Sequence, residues 1–136
     1  MKIMRDQWIL CVLTVLFAAS ASGAALNITS WRYDATRTGQ NTQETTLTPA
    51  NVNKTNFGKL YSYGVDGYVY AQPLYVAGLN FSGVVHNVLF VATQHDSVFA
   101  FDADKNLQLW KASLLDTLHG AASGATTVPS TDLGTN

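Results

Sequence analysis

The run Asn87-Val88-Leu89-Phe90-Val91-Ala92-Thr93, followed by Ser97-Val98-Phe99-Ala100-Phe101-Asp102 and Leu107-Gln108-Leu109-Trp110-Lys111-Ala112, decides the fold class. All three runs are rich in β-branched and aromatic residues, have strand length and lack the 3.6-residue period of a helix. A fourth run of the same kind, Tyr68 to Val76, precedes them. Turn residues separate the later runs, with Gln94-His95-Asp96 in one gap and Ala103-Asp104-Lys105-Asn106 in the next. The runs Asn87–Thr93 and Ser97–Asp102 are apolar at consecutive positions, so both faces of their sheet need cover from other sheets. Four strands in about 45 residues, joined by tight turns, make an antiparallel meander of blade size. The reading is all-β.

Working outward, Phe57-Gly58-Lys59-Leu60-Tyr61-Ser62-Tyr63 can be laid over Asn106-Leu107-Gln108-Leu109-Trp110-Lys111-Ala112, with Tyr61 in the place of Trp110. The offset of 49 residues lies in the range of about 40–50 for a propeller blade. It predicts one extra strand near 57–63 that belongs to a different blade from residues 68–113. Upstream, Ala24 to Lys59 is polar and rich in Thr, Asn and Gln, with turn signals at Thr38-Gly39-Gln40-Asn41 and Thr48-Pro49-Ala50-Asn51. It reads as an extended segment with little regular structure, in which Thr48-Pro49 can open a short helical turn. Beyond Leu118 the sequence offers no apolar face, and residues 116–136 read as an unstructured tail.

At the other end, Lys2 and Arg5 precede an apolar run from Trp8 to Ala19, and Ser20-Ala21-Ser22-Gly23 follows. This is the pattern of a secretory leader, with Ala19-Ser20-Ala21 as cleavage site; a retained signal anchor is the other reading. The run is shorter than the roughly 20 apolar residues that cross a bilayer. Cleavage leaves no further membrane segment and makes the chain secreted or periplasmic. The only cysteine, Cys11, lies in the leader, so the remainder has no disulfide or thiolate site. Removing Lys2, Arg5 and Asp6 leaves 6 basic and 8 acidic side chains. That balance argues against an electrostatic nucleic-acid binder.

The segment Ala100-Phe101-Asp102-Ala103-Asp104-Lys105-Asn106-Leu107-Gln108-Leu109-Trp110 resembles the repeat signature of quinoprotein-like β-propellers, A-L-D-A-x-T-G-x-x-x-W. Ala100, Asp102, Ala103 and Trp110 match, while Lys105 and Asn106 replace the usual Thr-Gly. Asn tolerates the left-handed conformation of such a turn. Gln72-Pro73-Leu74 and Val88 to Thr93 resemble a blade of that family, and the entry segment Trp31 to Leu47 resembles the start of its exported bacterial members. The resemblance implies an incomplete propeller divided into a signal peptide (1–21), an extended N-terminal segment (22–56), a first blade with a preceding closing strand (57–115) and a truncated tail (116–136). It also implies that the remaining blades belong to a longer chain. Catalytic members of the family hold pyrroloquinoline quinone beside a divalent cation such as Ca2+ on the propeller axis, and no residue here can be assigned to either.

Ala100, Asp102 and Trp110 read as structural repeat residues: Trp110 docks between neighbouring sheets and Asp102 accepts backbone hydrogen bonds from the following turn. Asp102-Ala103-Asp104-Lys105-Asn106 begins like a calcium loop, but Leu107 stands where Gly is needed and Ser113 where Glu is needed. The hairpin reading is preferred. His95 and Asp96 are the surface-site candidates, with His95 as an acid/base or as ordinary turn polarity. His86 and His119 have no partner at metal-ligand spacing. Tyr61, Tyr63, Tyr68, Tyr70 and Tyr75 form either core packing or a carbohydrate platform. Asn27-Ile28-Thr29, Asn53-Lys54-Thr55 and Asn80-Phe81-Ser82 are formal glycosylation sequons, relevant only in a eukaryotic secretory pathway.

These readings point to the N-terminal part of an exported propeller acting as a binding or scaffold module with no activity of its own, with a protein or polysaccharide as ligand. The alternatives are part of a periplasmic quinone-dependent alcohol or sugar dehydrogenase, and a non-functional truncated product.

Overall fold

The computed structural model describes residues 26–133. The leader read over 1–21, with Cys11, lies outside the described residues. Five strands form one antiparallel sheet in sequential order: β1 (Asn27–Ile28), β2 (Leu74–Phe81), β3 (Val84–Ala92), β4 (Ser97–Asp102) and β5 (Leu107–Ser113). Thr117–His119 and Ser130–Leu133 form short 3-10 turns after it. The chain is all-β, and no helix among the described residues is long and apolar enough to cross a membrane.

The β2–β3 hairpin closes on Ser82 and Gly83, both at positive φ (51° and 88°), between the paired residues Phe81 and Val84. Two positive-φ residues give the turn a twist that matches its strands, and the Asn80 side chain accepts the Gly83 N–H at 2.8 Å. The first long strand therefore starts at Leu74, later than the run from Tyr68 suggests. Pro73 has no N–H to give to a ladder, and Gly78 at φ 69° marks an irregularity between Val76 and Leu79. Residues 68–73 are not in a strand.

Residues 57–63, expected as an extra strand of a different blade, add no strand to this sheet, whose fifth strand comes from Asn27–Ile28, paired with Val76 and Tyr75. Residues 57–63 make no ladder pairs: Tyr63 packs on a face of the sheet, while Phe57 and Leu60 remain exposed. Side chains alternate along β4, so Phe99 and Phe101 share one face and Val98, Ala100 and Asp102 the other. On the first face Tyr63 stacks on Phe101 at 4.5 Å and Phe101 on Phe99 at 5.7 Å. Val91 and Leu89 complete this cluster. Burying a side chain such as Phe101 contributes about 1.5–3 kcal/mol, which makes this face the centre of the fold. The opposite face buries Val88 and Ala100, but Phe90 and Trp110, 5.9 Å apart, remain half-buried.

Candidate functional site

The segment 57–68 ties the two ends of the sheet. At the β4–β5 end, the Tyr63 hydroxyl donates to the carbonyls of Asp102 (2.7 Å) and Lys105 (3.0 Å), and the Tyr61 hydroxyl donates to that of Asp104 (2.8 Å). Burial in this contact pushes the Tyr63 phenol above its ordinary value, and neighbouring Tyr61, Asp102 and Asp104 add to the effect. The turn is built around Asp102, 2% exposed, whose Oδ1 accepts the Asp104 N–H at 2.9 Å. Its Oδ2 lies 2.7 Å from His86 Nδ1 and 3.8 Å from Lys105 Nζ.

A buried carboxylate must be paired or it destabilises the fold. The His86 hydrogen bond, the Asp104 N–H and the Lys105 charge hold Asp102 below the usual carboxylate range against the opposing effect of burial. Facing an ionised acceptor, His86 Nδ1 carries the proton of this hydrogen bond. Among the described residues no hydroxyl hydrogen-bonds to His86. The pair ties β3 to the β4–β5 turn. Asn87 helps: its side chain donates to Asp104 Oδ2 at 2.8 Å and accepts the Gly78 N–H at 3.0 Å.

At the β3–β4 end, Asp66 plays the corresponding part. Its carboxylate accepts the Ser97 hydroxyl at 2.6 Å and the Thr93 hydroxyl at 2.8 Å, and pairs with Lys111 Nζ at 2.7 Å. Lys111 and the two hydroxyls hold Asp66 far below the usual carboxylate range. The Gln94 N–H donates to the Tyr68 carbonyl at 3.0 Å. Gly67 lies flat on His95, where an added Cβ would sit 3.2 Å from His95 Cγ. The loop that enters β2 is thereby clamped to the β3–β4 turn.

The candidates from sequence separate along the sheet. Ala100 is paired with Trp110 across β4 and β5, Asp102 lies at the far end of β4 with His86, and Trp110 borders the half-open face with Phe90. His95 and Asp96 sit at the opposite end, about 18 Å from Asp102 by strand length. His95 is exposed and its ring covers Gly67, while Asp96 adopts φ 54°. The structure brings His95 and Asp96 to the entry loop and keeps both apart from Asp102. The Asp66 cluster and the His86–Asp102 pair escape sequence reasoning, since neither has a local spacing signal. Among the described residues no group of three or more His, Cys, Asp or Glu could hold a metal ion.

No family model, curated protein or solved structure matches the chain. The geometry of the sheet and the pattern of its residues are what a functional reading has to build on. The aromatic residues divide accordingly: Tyr61 and Tyr63 clamp the β4–β5 turn, whereas Tyr68 and Tyr70 are 63% and 61% exposed. On the half-open face, Trp31, Tyr70, Leu74, Phe90 and Val98 line an apolar groove of about 450 Å³.

Proposed function

We propose that this chain is the N-terminal part of an exported quinoprotein-like β-propeller that serves as a binding or scaffold module and carries no reaction of its own. One observation supports the reading above others: β2 to β5 form a sequential antiparallel meander with one face covered by the segment 57–66 and the other left with an apolar groove. Blades of a propeller stack face to face and expose little apolar surface once neighbours are in place. The groove beside Phe90 and Trp110 is the place a following blade would fill, and the Asp66 clamp fixes the loop through which the chain enters this one. Function in such a module belongs to the loops at the strand ends.

An apolar fluorescent dye tests the reading on the purified chain. Dye binding that is strongly reduced by Phe90→Lys is the expected result. A monomer that binds no dye would refute the open face and the reading with it.

A further inference from the structure

The end of the sheet that carries the β3–β4 turn has a second, smaller groove, of about 270 Å³, lined in part by Tyr70, Thr93, Gln94, Asp96 and Val128. Its chemistry differs from that of the open face. Tyr70 presents a ring that is more than half exposed, and the Tyr68 ring stands 6.1 Å away at 50° to it. Two large aromatic side chains left in water beside a concavity lose burial that the fold has not used for them. The groove also carries polar groups, among them the Gln94 side-chain amide and the Asp96 carboxylate. Gln94 Oε1 is buried without a hydrogen-bond partner, so turning that oxygen toward a donor in the groove sacrifices no bond. Among the described residues the Asp96 carboxylate makes no side-chain hydrogen bond, while its backbone is fixed by Asp96 N–H to Thr93 O and Leu114 N–H to Asp96 O, at 3.1 and 2.7 Å. Among the described residues, Asp96 is also one of five non-glycine residues at positive φ, a conformation that costs energy and recurs at binding sites.

We infer that this groove binds a single pyranose ring of a neutral carbohydrate, with Tyr70 stacked on its C–H face and Gln94 and Asp96 accepting its hydroxyls. A sugar ring combines an apolar face with a rim of O–H donors, which complements an aromatic wall opposite two unpaired acceptors. A phosphate or other anion would meet the Asp96 carboxylate and no cation, and a purely apolar ligand would leave the Gln94 oxygen unsatisfied. The volume is below the roughly 300–1,000 Å³ of a site for drug-sized ligands, so one ring fills it and any longer glycan continues past Tyr68 into solvent. Binding involves no bond-making step. The inference rests on the reading of this molecule as a binding module, and uses the strand-end groove, which shares the Tyr70 wall with the open-face groove but does not include Phe90.

Titration of the purified full chain with glucose, galactose and mannose, followed by ligand-observed saturation-transfer NMR, tests it. At least one hexose is expected to show transfer strongest at its ring C–H protons. Tyr70→Ala should weaken that binding about tenfold or more. Asp96→Asn, which keeps the left-handed turn because Asn tolerates it, should weaken it severalfold. Both residues lie at the surface, and circular dichroism of each variant checks that the sheet persists. Failure of all three sugars to bind, or binding unchanged in Tyr70→Ala, overturns the inference. Phe90→Lys separates the two readings. Sugar binding that survives in this variant while dye binding falls supports both, whereas dye binding without sugar binding removes the carbohydrate site and leaves the propeller reading standing.

Discussion

On one face of the sheet Tyr63, Phe101 and Phe99 stack in series, and the segment that supplies Tyr63 is tied down at both ends by side-chain hydrogen bonds. On the other face Phe90 and Trp110 meet at 5.9 Å beside an apolar groove of about 450 Å³. Both faces are made by the same strands and by residues of similar hydrophobicity. They differ in whether the chain returns to cover them, which depends on polar anchors at the sheet ends: Tyr61 and Tyr63 at one turn, Asp66 at the other. Apolar character creates the demand for cover, and a few hydrogen-bonding side chains decide which face receives it.

The sharpest way to break this comparison is to truncate one ring on each face. Phe101→Ala should destabilise the chain by about 3–5 kcal/mol, as expected for a large buried aromatic, whereas Phe90→Ala should cost clearly less because its ring is only partly buried. Urea denaturation of the two variants measures the difference, and equal losses would mean that the faces are equally packed. An intermediate effect is expected from pH. Asp66 and Asp102 both have folded-state values held below the ordinary 3.8. Their ionised forms therefore stabilise the fold in full above about pH 4, and this contribution is lost as the pH falls from there through the lower folded values. Asp66→Asn should flatten the acid limb of the stability–pH curve and free the entry loop to proteolysis; an unchanged curve would remove Asp66 from the clamp. The smallest effect tests the hydroxyl alone. Tyr63→Phe keeps the stack on Phe101 but removes the donor to the Asp102 and Lys105 carbonyls, and should cost about 1 kcal/mol in the same assay.

Much of the sheet is legible in the sequence. The runs 97–102 and 107–112 are apolar, of strand length and flanked by turn residues, and they correspond to β4 and to most of β5. The earlier runs shift for local reasons. Ser82-Gly83 turns the chain ahead of the run that starts at Asn87, so β3 begins at Val84, and Pro73 delays β2 to Leu74. Residues 57–63 show why pattern has a limit. Tyr61 and Tyr63 alternate as in a strand, and alternation reports an extended chain with one side turned inward. It does not report whether that side meets the edge of a sheet or its face. The candidate site was less accessible still. Asp66 and Lys111 are far apart in sequence, and His86 reaches Asp102 only through the β3–β4 register in which Val88 faces Asp102. Those partners follow from tertiary placement, which no short spacing encodes. His95 and Asp96 were visible as turn polarity, but the groove beside Asp96 requires Tyr70 and Val128 from two other segments.

The claim that one face is complete and the other requires a neighbouring sheet is tested most directly by thermal unfolding of the purified chain, followed by circular dichroism with the mass in solution recorded alongside. The account predicts a broad transition of low cooperativity for the monomer, because the apolar groove beside Phe90 lacks a packed sheet over it. A sharp, fully cooperative transition in a species shown to be monomeric would contradict it.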